Sequence, residues 1–100
     1  MKALSTRSSL RPRDSVLKQE AAGTLVLLTL DEGRYYALDD AGGCAWELCD
    51  GQRTVAEIAA LLADEYEAPQ AEIERDLLEL FRDLADENLL VENSRKTASA

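Results

Sequence analysis

The segment from Arg34 to Gly51 switches its pattern part-way, and that switch limits the folds open to the chain. Arg34 to Leu38 reads Arg-Tyr-Tyr-Ala-Leu, residue types that suit a pleated surface. Asp39 or Asp40 then offers a carboxylate to the orphan amides of a helix start. Gly51 can adopt the positive φ that ends a helix cheaply. The chain before this segment reads as sheet, and the chain after it reads as helix.

Upstream, Asp14 to Glu20 places Val16 and Leu17 among polar neighbours, as a partly exposed first strand would. Ala21, Ala22 and Gly23 make a turn. Thr24 to Leu30 is nearly all apolar, which predicts a central strand covered on both faces. Asp31, Glu32 and Gly33 form a hairpin loop with Gly where a left-handed residue is needed. The simplest order is a meander, with the Arg34–Leu38 strand at one edge.

Downstream, Thr54-Val-Ala-Glu57 is a capping box. It opens a helix to about Tyr66, with Val55, Ile58, Ala59 and Leu62 on one face and Tyr66 ending the buried stripe. Pro69 suits the first turn of a third helix. There Ile73, Leu77, Leu80 and Leu84 recur at helical spacing, widened by Leu78 and Phe81. Asn88 is a plausible stop, and Leu89 to Val91 return to the core as extended chain. Trp46 is expected in the core. The fold class is therefore α+β: a winged helix-turn-helix-like body, with a three-stranded antiparallel sheet followed by three helices.

One hundred residues allow one domain with a modest core. Residues 1–13 read as a disordered basic tail, 14–91 as the folded domain and 92–100 as a second disordered tail. No apolar run, Leu25 to Leu28 included, is long enough to cross a bilayer, and no continuous apolar stretch makes the N-terminus a signal peptide. A cytoplasmic location without membrane association is the expectation. All twenty acidic residues lie at Asp14 or later, as do seven of the eleven basic ones, which leaves residues 14–100 at −13. A body that acidic repels phosphate backbones, so no nucleic-acid partner is expected.

Chemistry is scarce. The chain has no His, which removes the commonest general base and a usual zinc ligand. There is no Gly-rich phosphate loop and no nucleophile elbow. Cys44 and Cys49 are five apart and suit buried thiols better than a chelate. The sequence predicts no enzyme, no cofactor and no metal. What remains is an edge strand with paired tyrosines. Two readings stay open on the residues alone. A partner segment adds there as a further strand, or both tyrosines are core or surface filler and a tail covers the edge.

Tyr35-Tyr36-Ala37-Leu38, Trp46-Glu47-Leu48-Cys49-Asp50-Gly51, Thr54-Val55-Ala56-Glu57-Ile58 and Ile73-Glu74-Arg75-Asp76-Leu77 together resemble the PqqD family over roughly residues 14 to 91. That family serves pyrroloquinoline quinone biosynthesis and supplies the recognition elements of many ribosomally made peptide products, lasso peptides among them. The resemblance implies a non-catalytic peptide chaperone that holds a precursor's leader by strand addition. It would present the leader to a modifying enzyme, such as a radical SAM enzyme, or to a leader protease. Carried over by position, the pairing strand is Arg34, Tyr35, Tyr36, Ala37 and Leu38. The groove wall is the flank of the third helix at Ile73, Asp76, Leu77 and Leu80. Gly42-Gly43 departs from the family pattern and predicts a loose first turn.

Ordering a peptide residue costs ~1–2 kcal/mol, whereas one backbone hydrogen bond returns about 1 kcal/mol net. Buried apolar anchors, at ~1.5–3 kcal/mol each, must supply the surplus. The leader is therefore expected to carry two or three aromatic or branched aliphatic residues at alternate positions. Monomer and homodimer are both compatible, because an exposed edge also suits its own copy. The alternative is a winged-helix DNA-binding transcription regulator. It sits badly with Glu72, Glu74, Glu79 and Asp83 on the exposed face of the third helix against Arg75 and Arg82.

Overall fold

The computed structural model describes residues 4–93. In chain order the elements are β1 (Leu10–Pro12), β2 (Val16–Ala21), β3 (Thr24–Thr29), β4 (Tyr35–Leu38), α1 (Asp40–Leu48), α2 (Val55–Tyr66), α3 (Gln70–Asp86) and β5 (Leu90–Glu92). The expected meander is present, an antiparallel sheet ordered β2-β3-β4 and followed by three helices. Its first hairpin turns through Ala22 and Gly23, both at positive φ (52° and 82°), the pairing a two-residue I′ loop demands. The second closes with Thr29 N–H donating to the Arg34 carbonyl at 2.8 Å, and Gly33 takes φ 65° beside it.

The apolar run of β3 is not covered on both faces. Leu25, Leu27 and Thr29 are buried, whereas Val26 is half-buried and Leu28 and Leu30 are exposed. Period-two alternation decides the burial here, even though nearly every residue is apolar. The register aligns Leu17, Leu28 and Tyr35 across the outer face. That outer face carries no charged residue on any of its three strands. Lys18, on the inner side, reaches Glu47 of α1 at 2.6 Å.

The helices start as their sequences require. Asp39 caps α1 by accepting from Gly42 N–H at 2.8 Å. The Thr54–Glu57 capping box is formed in both directions. Pro69 is the residue before α3 rather than a member of its first turn. Asn88, at φ 64°, turns the chain after α3, and Leu89 N–H reaches back to the Leu84 carbonyl at 2.9 Å.

The first turn of α1 is tight, not loose. Both glycines are buried, and a Cβ on Gly43 would stand 3.3 Å from Leu25 Cβ. The glycines let the start of the helix close onto β3. One core then joins sheet and helices. Leu27, Val55, Ile58, Phe81, Leu84 and Leu89 are fully enclosed, and Trp46 of α1 is buried in the same core. Both cysteines are free. Burial, and then the neighbouring Asp50 charge, push the Cys49 thiol up to about 12, which makes it an inert packing group.

The leading segment, expected to be a tail through Arg13, is built into the fold from residue 4 onward. Leu10 is 1% exposed, and β1 pairs with β5 in a separate two-stranded ribbon, Leu10 opposite Glu92. The same segment covers the start of α2: Val55 N–H donates to the Ser8 carbonyl and Ala56 N–H to the Thr6 carbonyl, each at 2.9 Å. These are orphan amides that a helix must place somewhere. The folded unit thus extends past 14–91 on both sides. Residues 1–3 and 94–100, the remainder of the two expected tails, lie outside the described residues.

Replacing Leu10 with Ala should cost about 2–5 kcal/mol, as for other buried Leu, seen as a lowered midpoint in urea unfolding. A solvated tail residue would shift stability by no more than about 0.5 kcal/mol.

Candidate functional site

β4 is the last strand of its sheet, and among the described residues nothing pairs with its outer side. Hydrogen-bonded pairs alternate along an antiparallel ladder. Because Thr29 and Arg34 form one such pair, Tyr36 and Leu38 turn their backbone groups toward β3. Tyr35 and Ala37 turn theirs outward. Two N–H and two C=O groups therefore face the open side.

Beside that edge lies a cleft of about 710 Å³, within the roughly 300–1,000 Å³ usual for ligand sites. Tyr36, Ala37 and Leu38 form one wall, and Ile73, Asp76, Leu77 and Leu80 of α3 form the other. Leu77 is buried, while Ile73 and Leu80 are half-buried and offer unused apolar surface.

Seven of the nine residues expected at the site thus meet around one cavity. Two do not. Arg34 precedes β4, and its guanidinium is held by Glu87 and Glu32. Tyr35 is 76% exposed on the outer face of the sheet, so only its backbone addresses the edge. Sequence reasoning missed Glu72 and the floor, which comes from Asp39, Ala41 and Gly42 of the α1 start and from Leu62 and Tyr66 of α2. Glu72 stands four residues before Asp76, and helical spacing would have found it.

Tyr66 does not end a buried stripe. It is 38% exposed at the end of the cleft, where its hydroxyl donates to Asp40 Oδ2 at 2.8 Å and lies 3.6 Å from Cys44 Sγ. The Cys44 contact, and then the Asp40 carboxylate, hold the proton on the phenol and push its pKa up. No group of three or more potential metal ligands occurs among the described residues, and no helix there is long and apolar enough to cross a membrane.

The family profile described as "Coenzyme PQQ synthesis protein D (PqqD)" matches residues 24–90. The chain belongs to the PqqD family. A PqqA binding protein of Rhodopseudomonas palustris (strain HaA2) is 44% identical over 64 residues, 64% of this chain and 63% of that protein. Another, from Bradyrhizobium diazoefficiens, is 32% identical over 87 residues, 87% of this chain and 84% of the relative. Two solved structures share the fold at 32% identity. TbiB1, in complex with the TbiA(β) leader peptide, matches with a TM-score of 0.74 over 80% of this chain and 93% of its own. The PqqD portion of Methylobacterium extorquens PqqCD, described as a functional and stand-alone RiPP recognition element, gives 0.78 over 89% and 95%. In this PqqD-family chain the strand edge and the cleft are the two features a peptide could use together.

In an absorbance titration, Tyr66 should ionise at higher pH than free tyrosine. Tyr66→Phe should remove that late phase. Asp40→Asn should bring it to lower pH, because the anion that opposes a phenolate is gone.

Proposed function

We propose that this protein is a non-catalytic recognition domain for the leader of a ribosomally made precursor peptide, of the kind its relatives' name, PqqA binding protein, denotes. The leader adds as a strand to the outer edge of β4 and drops alternate side chains into the cleft against α3. The observation that carries this reading is the coincidence of unpaired backbone groups on β4 with a half-apolar cavity on the same side. Backbone pairing alone does not offset the ordering cost. Ile73 and Leu80, both half-buried, supply the apolar surface that must make up the difference.

The domain then hands the leader to a modifying enzyme, such as a radical SAM enzyme, or to a leader protease. Ribosomal synthesis of the precursor fits a cytoplasmic site of action. TbiB1, a structure of the same fold at 32% identity, is solved in complex with a leader peptide, which supports a leader as the ligand.

Ala37→Pro tests this reading. The Ala37 amide points away from β3, so its loss leaves the internal ladder whole and the edge position tolerates proline. The variant should keep its circular dichroism spectrum. It should bind the labelled PqqA peptide of Rhodopseudomonas palustris (strain HaA2) more than about tenfold more weakly, from a missing donor and an obstructing ring. A folded Ala37→Pro protein that binds like wild type would rule strand addition out.

A further inference from the structure

A further inference rests on that reading and concerns the chemistry of the peptide. The cleft is mostly apolar, and its charged lining is entirely acidic. Asp39, Glu72 and Asp76 line it, and no Lys or Arg does. Asp39 is occupied as a helix cap. Glu72 and Asp76 stand four apart on α3, on one face of the helix. Both are exposed, and neither carboxylate has an ion pair or hydrogen bond among the described residues.

Three other carboxylates near the strand are engaged: Glu32 and Glu87 hold Arg34, and Asp40 takes the Tyr66 hydroxyl. Arg34, the basic residue next to β4, is thereby held outside the cleft. Two unpaired carboxylates above an apolar wall concentrate negative potential where a peptide must pass. The side chains that suit both surfaces at once are Lys and Arg, whose aliphatic stems pack on apolar residues while the charged head reaches the rim.

We propose that the occupant of this cleft is an extended peptide that sets a Lys or Arg, on the same alternating side as its apolar anchors, against Glu72 and Asp76. A long stem is needed because the carboxylates stand on the far wall, across the cleft from β4. Helical rise separates them by about 6 Å, so one guanidinium or ammonium group placed between them lies near both.

The test measures binding of the fluorescein-labelled PqqA peptide of Rhodopseudomonas palustris (strain HaA2) by anisotropy, from about 50 to about 500 mM salt. Wild-type affinity should fall as salt rises. Glu72→Gln/Asp76→Asn should bind about three- to tenfold more weakly at low salt, the loss of two solvent-facing ion pairs, with a flattened salt dependence. Glu79→Gln/Asp83→Asn removes the same charge from α3 outside the cleft and should bind as wild type. Glu72→Lys/Asp76→Lys should prefer a peptide whose Lys and Arg are replaced by Glu.

Wild-type binding by the first double variant, or equal weakening by the second, overturns the proposal and leaves strand addition standing. No binding of the peptide by the wild-type protein overturns the underlying reading, and the proposal with it.

Discussion

The cleft exists because helix α3 directs its fully buried side chains away from β4. Phe81 and Leu84 are enclosed in the common core, and α3 packs on α2 and β5. Leu77 turns inward with them, while Ile73 and Leu80, on the flank, are left half-covered. Had the apolar stripe been narrower, the helix could have rolled onto the sheet edge and closed the space. Its width, from Ile73 through Leu78 and Phe81, lets one side reach the core while the other lines the cleft.

That arrangement needs α3 held at its C-terminal end, and the leading segment contributes there. Residues 6–13 bond to the start of α2 on one side and to Leu89, β5 and Asn93 on the other. Leu10 fills the core between them. The β1–β5 ribbon therefore fixes the exit of α3 relative to the entry of α2. The surface ion pairs add little to this. Lys18–Glu47 is about half exposed on both sides, and such pairs contribute at most about 1 kcal/mol.

Much of this was legible in the sequence, where local chemistry dictates local structure. The Thr54–Glu57 box, the Asp39 cap, the hairpin turns and the stripe of α3 each rest on residues within a few positions of one another. The leading segment was not legible, because Ser and Arg dominate it and Leu10, its one enclosed apolar residue among the described residues, finds its cross-strand partner 82 positions later, at Glu92. An apolar run such as Thr24–Leu30 cannot by itself report whether one face or two is covered. The site was partly legible: the α3 wall followed from the family resemblance, but the floor is assembled from helix starts and ends that only tertiary packing brings together. The hold on the Arg34 guanidinium could not be read locally either, because its partner Glu87 lies 53 positions later.

The ladder of β4 sets a further condition on any strand laid along it. Side chains alternate between the cleft and the uncharged outer face, so a slip of one residue exchanges the two sets completely. Only displacements of two residues, roughly 6.6–6.8 Å along the chain, return the same parity to the α3 wall. A tethered substrate would thus be held at discrete stations rather than at a continuum of offsets. The reach from anchor point to the atom being modified would change in those same increments.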